Sequence, residues 1–379
     1  MVKKASRAAA KPTLATVAKA VGVSPMSVSN AYNKPDRLSP ELRERILAKA
    51  EELGYPGPNP TARSLRRAHS GVLGAVLGES LTYAFDDPGA LEFLHGLAEA
   101  CSAHSAGLQL VPASGTDADV RLIQGASVDA FVLFGLPDDH QLVETSLRRG
   151  LPVLTSGGPE LPNRPFVGID DRSAAHAAAE YLLALGHRNV AVISLQLHGR
   201  RGSRGPASVR AQMQSTFRVA RERLAGYRKA CEAAGLDWGH IPVYEVASNT
   251  WREGHHATLE LMRAASPVTA VLAMSDELAF GTLKAAEELR IDVPADLSII
   301  GWDRNPRVAG RQPVLTTVEQ PLRDQGRLLG EMALSQTANE QHVMMPWKLV
   351  EGATTLSPRA TGRDRVDATA SARRDRRSS

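Results

Sequence analysis

The stretch VGVSPMSVSNAYN, residues 21–33, offers hydroxyl and amide groups that can exchange hydrogen bonds, yet it carries no charge. It lies inside a strongly basic block, because residues 1–70 hold 13 Lys and Arg against 5 Asp and Glu, a net charge of +8. An excess of positive charge at one end of a chain favours contact with a polyanion. These residue types therefore indicate recognition by hydrogen bonding within a positively charged surround.

The rest of the chain has a different charge balance. Residues 71–358 hold 25 Lys and Arg against 33 Asp and Glu, whereas residues 359–379 hold 7 against 3. We interpret residues 1–12 as a disordered basic arm and residues 359–379 as a disordered basic tail. For the tail, a solubilising function and contact with a polyanion both stay open.

Side chains that could do catalytic or metal chemistry are few. His256 and Glu260 are spaced at i,i+4, next to His255, but a metal site would need a third ligand. Asp170 and Asp171 fit the start of a helix better than a pair of catalytic carboxylates. The sequence holds no P-loop, no G-x-G-x-x-G after a strand and no nucleophile elbow. We therefore expect no catalytic residues, no metal site and no cofactor.

Cysteine usage and hydropathy predict where the protein works. Cys101 and Cys231 are too few for a disulfide scaffold, which favours a reducing compartment. The basic N-terminus is not followed by the apolar segment of a signal peptide, and no apolar run approaches the 18 residues of a membrane span. We expect a cytoplasmic protein that does not contact a membrane.

The elements that must position the polar stretch are short helices. Their starts are marked by Thr13, by Ser24 followed by Pro25, and by Ser39 followed by Pro40. Gly22 separates the first two helices, which gives a helix-turn-helix layout over residues 13–57. Residues 58–70 follow a stiff YPGPNP linker and predict a short hinge helix. Such a helix is too short to be stable alone, so it should order only on a partner.

From Gly71 onward, apolar runs of strand length alternate with helical stretches. This alternation predicts parallel sheets, which bind ligands at the carboxyl ends of their strands. Residues 71–358 are too many for one such sheet and predict two similar lobes. The predicted N-terminal lobe covers about 71–167 and 320–342, and the predicted C-terminal lobe covers about 168–319 and 343–358. A basic, Gly/Arg/Ser-containing segment at residues 196–222 is predicted as a loop.

Several blocks of the chain together resemble regulators of the LacI type, the family of the lactose and purine repressors. They include TLATVAKAVGVSPMSVSNAYN, NPTARSLRR, MSDELAFG and TTVEQP, and the resemblance covers roughly residues 13–355. It implies an N-terminal all-α helix-turn-helix headpiece and an α/β periplasmic-binding-protein-like core of two parallel-sheet lobes. It further implies a homodimeric transcriptional regulator, with a repressor expected, that binds a near-palindromic operator in double-stranded DNA. A small effector would bind in the core and change that affinity by shifting the lobes between arrangements.

The resemblance places the second helix in the major groove, with Val28 and Ala31 facing the headpiece core. The headpiece residues that it assigns to DNA are Thr13, Ser24, Pro25, Met26, Ser27, Ser29, Asn30, Asn33 and Lys34. At position 30 most family members carry Arg, which reads guanine, whereas Asn pairs best with adenine. We expect Asn30 to shift preference from G toward A, although contact with phosphate or water alone is the alternative. Lys34, like Lys11 and Lys19, would neutralise phosphates.

The hinge residues that the resemblance assigns to DNA are Asn59, Ala62, Arg63 and Leu65. Leu65 of each subunit would act as an apolar wedge that unstacks a base step in the minor groove. Ala62 would let the two hinge helices approach closely, and Arg63 would neutralise phosphate.

The resemblance also implies an effector site between the lobes, formed by Glu79, Ser80, Tyr83, Arg223, Asn249, Ser275 and Asp303. Arg223 would bind the effector, and Asp303 would accept hydrogen bonds from its hydroxyls. Asn249 falls where other members place a stacking aromatic, a function that Trp251 could take if it is not part of the core. The Asp and Arg pair suits a sugar or another polar, hydroxylated metabolite. A solute receptor without DNA binding, or an enzyme on the same core fold, stays open.

Overall fold

The structure is a computed structural model that describes residues 12–57, 69–78, 80–199, 203–263, 268–305, 312–335 and 341–359. These residues form two compact units, divided between Ser70 and Gly71. Nearly all of the predicted basic arm, most of the predicted hinge and nearly all of the predicted basic tail lie outside the described residues. Among the helices of the described ranges, none is both long and apolar enough to cross a membrane.

The headpiece contains the three predicted helices: α1 (Leu14–Val21), α2 (Pro25–Asn33) and α3 (Pro40–Glu52). The cap residues act as expected, since the Thr13, Ser24 and Ser39 hydroxyls each accept a hydrogen bond from a backbone N–H of the first turn. Gly22 adopts φ +79°, a left-handed conformation that ends α1 and that glycine adopts without strain. A small core joins the helices, formed by Val17, Ala18, Val28, Ala31, Ile46, Ala50 and Tyr55.

The core alternates strands and helices, as predicted. In chain order its helices and strands are β1 (Val72–Leu77), α4 (Leu81–Asp86), α5 (Pro88–Ala103), β2 (Gly107–Pro112), α6 (Asp117–Gly125), β3 (Ala130–Phe134), α7 (Gln141–Arg148), β4 (Val153–Ser156), β5 (Phe166–Gly168), α8 (Asp171–Ala184), β6 (Val190–Ser194), β7 (Gly205–Pro206), α9 (Val209–Met213), α10 (Arg218–Ala233), β8 (Val243–Glu245), α11 (Trp251–Met262), β9 (Ala270–Ala273), α12 (Asp276–Leu289), β10 (Ser298–Asp303), β11 (Thr316–Glu319), α13 (Leu322–Leu334), β12 (His342–Met344) and β13 (Lys348–Val350). Short 3₁₀ helices occur at Pro35–Arg37 and Trp238–His240.

The N-terminal lobe is built on a six-stranded sheet of order β12-β5-β4-β3-β1-β2, in which all neighbours are parallel. Successive side chains of β1 face opposite sides, so Ala75 joins the core under α5 and α13 while Val76 joins the core under α6 and α7. Gly96 and Gly326 let the backbones of α5 and α13 touch, because a Cβ at either position would overlap the other helix. The sheet is therefore covered on both faces.

The C-terminal lobe has a seven-stranded sheet of order β13-β11-β10-β9-β6-β8-β7. Its central strands are parallel, and the edge strands β13 and β7 run antiparallel to their neighbours. Helices α8 and α10 pack on one face, and α11 and α12 pack on the other. The chain passes between the lobes after β5, after β11 and after β12, so three crossing segments join them. Strand β12 continues the N-terminal sheet to Met344, two residues beyond the predicted lobe boundary.

The prediction of a loop over residues 196–222 is wrong for half of the described residues of that segment. Within residues 203–222 the chain forms β7, then α9, and then the first turn of α10. Its Gly/Arg/Ser composition suggested a loop, but contacts with residues far along the chain give it a fixed structure. One of them is the hydrogen bond of 2.8 Å from Trp238 Nε1 to Gln212 Oε1, which satisfies two buried polar groups.

Candidate functional site

The exposed face of α2 is the first candidate site. Met26 is 67% exposed, whereas Val28 and Ala31 are buried in the headpiece core. The Ser24 hydroxyl accepts a hydrogen bond from Ser27 N and lies 3.0 Å from Ser27 Oγ. The hydroxyls at the N-terminus of α2 thus already stabilise the helix that would present them.

Farther along α2, Asn33 Nδ2 donates to Ser29 O at 2.9 Å and to Ser29 Oγ at 3.3 Å. The side chain of Asn30 is half-buried, and it forms no hydrogen bond with any other residue of the described ranges. Its amide can therefore meet an external donor and acceptor pair without breaking a contact of the headpiece. On α2, Met26 is therefore open to an external partner, and so is the Asn30 amide.

The remaining predicted DNA contacts divide into two groups. Thr13, Pro25 and Lys34 lie at the surface, and Thr13 also shares a capping box with Thr16. The hinge predictions Asn59, Ala62, Arg63 and Leu65 lie outside the described residues.

The second candidate site is a cavity of about 200 Å³ between the two lobes of the core. It lies at the carboxyl ends of strands from both sheets, where ligands of parallel α/β folds bind. Its polar lining is formed by Tyr83, Asp87, Asp171, Gln196, Arg223, Asn249, Ser275, Asp303, Gln320 and Gln325. Both lobes contribute, so a ligand here would contact groups that move when the lobes move.

Arg223 is held rigidly at the cavity wall by α10. Its Nε donates to Asp171 Oδ1 at 3.0 Å, and its Nη1 donates to Met274 O at 2.6 Å. The guanidinium carbon lies 3.9 Å from the centre of the Trp302 ring, a cation–π contact. Asp171 also accepts from Arg218 Nη1 at 3.1 Å, so one carboxylate bridges two arginines. The remaining N–H groups of Arg223 are pre-oriented for a ligand.

Asp303 ends β10 and has φ +99°, an uncommon conformation for a residue other than glycine. Its Oδ1 accepts a hydrogen bond of 2.6 Å from Gln320 Nε2, whereas its Oδ2 has no partner among the described residues. Burial raises the pKa of Asp303 to about 6, against the opposing effect of the Arg223 guanidinium. Asp303 therefore offers one free carboxylate oxygen to the cavity.

Asp276 lies below the cavity lining at the start of α12. It accepts hydrogen bonds from Thr317 Oγ1 at 2.7 Å and from Asn305 N at 2.6 Å. Burial raises the pKa of Asp276 to about 7, and the negative charge of Asp303 adds to this rise. The charge on Asp303 therefore affects the protonation of Asp276, which does not itself line the cavity.

Asn249 connects the lobes instead of stacking on a ligand. Its backbone N–H donates to Tyr83 Oη at 3.1 Å, and its Nδ2 donates to Asp87 Oδ2 at 3.0 Å. Its side-chain oxygen accepts a hydrogen bond from Ser275 Oγ. We call Tyr83, Asp87, Asn249 and Ser275 the interlobe latch, since the first two belong to the N-terminal lobe and the last two to the C-terminal lobe.

Aromatic rings line the cavity at positions that the sequence did not single out. Phe134, Phe166 and Phe217 contribute to the wall. Trp251, considered as a substitute for the stacking aromatic, does not line the cavity and is 37% exposed at the start of α11. Its ring contacts Phe280 edge-on and lies under Arg252.

Five of the seven predicted effector residues line the cavity: Tyr83, Arg223, Asn249, Ser275 and Asp303. Ser80 does not line it, and its hydroxyl instead caps α4 by accepting from Tyr83 N at 3.3 Å. Glu79 lies outside the described residues. Asp87 and Asp171 were not predicted for this site. Each stands at a helix start, Asp87 as the N-cap of α5 and Asp171 as the first residue of α8. In the sequence a helix-start role accounts for each carboxylate, so no separate signal indicated a place in the cavity.

Comparison with known proteins agrees with this architecture. Residues 13–59 match the family model described as bacterial regulatory proteins, lacI family, and residues 179–355 match a periplasmic binding protein-like domain. The HTH-type transcriptional regulator Rv3575c of Mycobacterium tuberculosis is 37% identical over 358 residues, which cover 92% of this chain and 98% of that protein.

Two solved structures extend the comparison. A LacI-family transcriptional regulator from Corynebacterium glutamicum is 31% identical with a TM-score of 0.70, over 92% of this chain and 100% of that chain. A complex of the transcriptional regulator CelR with cellobiose is 27% identical with a TM-score of 0.63, over 90% of this chain and 99% of that chain. Similarity to a family of transcriptional regulators argues against an enzymatic function for this chain. The chain belongs to the lacI family of bacterial regulatory proteins, and it is a helix-turn-helix transcriptional regulator.

Proposed function

We propose that this regulator binds a near-palindromic DNA operator as a cytoplasmic homodimer, and that an uncharged, polyhydroxylated effector of the sugar class controls the binding. The proposed effector binding rests on Asp303, which lines a cavity formed by both lobes and whose Oδ2 has no hydrogen-bond partner among the described residues. A carboxylate oxygen without a protein partner is a strong acceptor for ligand hydroxyls.

Charge supports an uncharged effector. Among the described lining residues Arg223 is the one cation, whereas Asp87, Asp171 and Asp303 are carboxylates. Since Arg223 is already paired with Asp171, an anionic ligand would meet unbalanced negative charge. Phe134 and Phe217, which are both half-buried, supply apolar surface on which the C–H faces of a sugar ring can pack. The binding of cellobiose by CelR supports the same class for this chain.

In the proposed DNA binding, an uncharged side chain recognises bases and basic side chains contact phosphates. Asn30 would read a base edge in the major groove, with adenine preferred because an amide matches its N6 and N7. Lys19 and Lys34 are exposed at the headpiece surface and would neutralise phosphates without reading sequence. In the hinge, Arg63 would add charge and Leu65 the minor-groove wedge.

Control follows from the position of the cavity. An effector held by groups of both lobes binds the closed arrangement more tightly than the open one, and it shifts the population by that difference. In a homodimer such a shift changes the spacing of the two headpieces, on which the affinity for a two-half-site operator depends.

The effector class is tested by thermal unfolding of the full chain with cellobiose, D-glucose or glucose 6-phosphate. We expect a neutral sugar to raise Tm and the phosphate to leave it unchanged. Asp303→Asn should remove the rise, whereas Arg228→Ala, a surface change on the same helix as Arg223, should keep it. Stabilisation by the phosphate alone, or by a neutral sugar equally in Asp303→Asn, would contradict the proposal.

A further inference from the structure

The segment of residues 203–217, between β6 and α10, has a fixed structure that its composition did not predict. Strand β7 pairs with β8 at the edge of the C-terminal sheet, with Gly205 opposite Glu245. Gln212 is buried, and its Nε2 donates to Ala207 O at 2.8 Å. The segment is therefore part of the C-terminal lobe and not a free loop.

The end of this segment is anchored to the C-terminal lobe through Leu197. Thr216 N and Ser215 Oγ each donate to Leu197 O at 2.8 Å. Leu197 N in turn donates to Glu245 Oε1 at 2.8 Å, at the end of β8. These bonds hold Ser215 and Thr216 against the C-terminal lobe.

The same end reaches the N-terminal lobe. The Thr216 carbonyl accepts a hydrogen bond of 2.8 Å from the backbone N–H of Asp138, which follows β3. Arg221 Nη1 donates to Asp138 Oδ2 at 2.7 Å and to Ser215 O at 2.8 Å, so it bridges both sides of this contact. One turn earlier, Arg218 Nε donates to Glu160 Oε2 at 2.9 Å, again in the N-terminal lobe.

We propose that residues 203–217 form an interlobe clasp, locked by Arg221, that joins the two lobes through protein groups alone and raises the population of the closed arrangement in the effector-free chain. An effector that favours the closed arrangement adds to this stabilisation. The clasp also places Phe217 in the cavity wall, next to the residues of α10 that line it. This inference goes beyond the proposed function, because it holds whatever molecule the cavity binds.

Amide hydrogen exchange of the full chain, without effector or DNA, tests the clasp. The variant is Arg221→Ala, and the matched control is Arg228→Ala, which breaks a pair with Glu232 inside α10 that does not cross between lobes. We expect the amide of Asp138 to exchange about fivefold faster in Arg221→Ala, as for loss of an ion pair worth about 1 kcal/mol. The amide of Thr216 should keep its protection, because its acceptor Leu197 O lies in the same lobe.

A second variant removes the same ion pair from its other side, so that a folding defect of Arg221→Ala can be recognised. Asp138→Asn keeps the backbone N–H and the side-chain shape but removes the charge, and it should lower the protection factor of the amide at position 138, measured relative to the intrinsic exchange rate of each residue. Equal protection factors at position 138 in the wild type, Arg221→Ala and Asp138→Asn would overturn the clasp. Joint acceleration at Asp138 and Thr216 would also overturn it, since the segment would then unfold instead of releasing the N-terminal lobe.

Discussion

The side-chain amide of Asn249 donates a hydrogen bond of 3.0 Å to Asp87 Oδ2, and it thereby joins the C-terminal lobe to the N-terminal lobe beside the cavity. Tyr83 Oη reinforces this bond, because it lies 3.0 Å from the same Asp87 oxygen and accepts from Asn249 N. Asp87 Oδ1 accepts from Ala90 N, so both oxygens of this carboxylate are used within the protein. Asp87 therefore holds the two lobes together beside the cavity, whereas Asp303 keeps one oxygen without a partner among the described residues.

Asn249→Ala should weaken the interlobe latch without disturbing either sheet. It removes the bond to Asp87 and leaves the Ser275 hydroxyl with one partner fewer, a loss of about 1–2 kcal/mol in the free energy of unfolding. Small-angle X-ray scattering of the effector-free chain should show a larger radius of gyration as the lobes separate. A radius and an unfolding free energy equal to those of the wild type would show that the latch does not hold the lobes.

Arg223→Ala should destabilise the core more than any exposed arginine substitution. The change leaves Asp171 buried with Arg218 as its remaining cation, and it removes the contact with Trp302. Breaking a buried pair costs about 3 kcal/mol or more, whereas Arg228→Ala should cost about 0.5 kcal/mol. Urea denaturation measures both, and equal midpoints for the two variants would contradict the structural role of Arg223.

The pH dependence of stability should report Asp303. Its folded pKa of about 6 lies above the ordinary value of 3.8, so the folded state binds more protons between these values. The free energy of unfolding from this group therefore rises as pH falls from about 6 toward 4, with a slope of at most about 1.4 kcal/mol per pH unit. Comparing wild type with Asp303→Asn by urea denaturation reports this contribution together with the accompanying change at Asp276, and parallel pH profiles would contradict the raised pKa.

Readout by α2 should depend on Asn30. Selection of binding sites from a random DNA pool should give A at one half-site position for the wild type and G for Asn30→Arg. Lys34→Ala should weaken binding to all sequences and lower the salt dependence, as for one lost phosphate contact. If wild type and Asn30→Arg select the same base, Asn30 contacts only phosphate or water.

Local signals in the sequence predicted the headpiece well. Ser24 followed by Pro25 marks the start of α2 because capping chemistry is confined to a few neighbouring residues. The alternation of strands and helices likewise predicted the two parallel-sheet lobes. The latch could not be predicted in this way, because Asp87 and Asn249 are 162 residues apart in the sequence. Each residue type is also common in turns and helix caps, so neither indicates a contact between lobes. The clasp was missed for the same reason, because a buried bond to Trp238 orders residues whose composition is typical of a loop.

Occupancy of the cavity by an effector should change the affinity of the protein for its operator. Fluorescence anisotropy should measure the affinity of the full chain for its selected operator, with and without the neutral sugar that raises its Tm. We predict a change of about 5- to 150-fold in wild type, and no change in Asp303→Asn, whose operator affinity without sugar should stay close to that of wild type. Equal operator affinity with and without saturating sugar in the wild type would contradict the account.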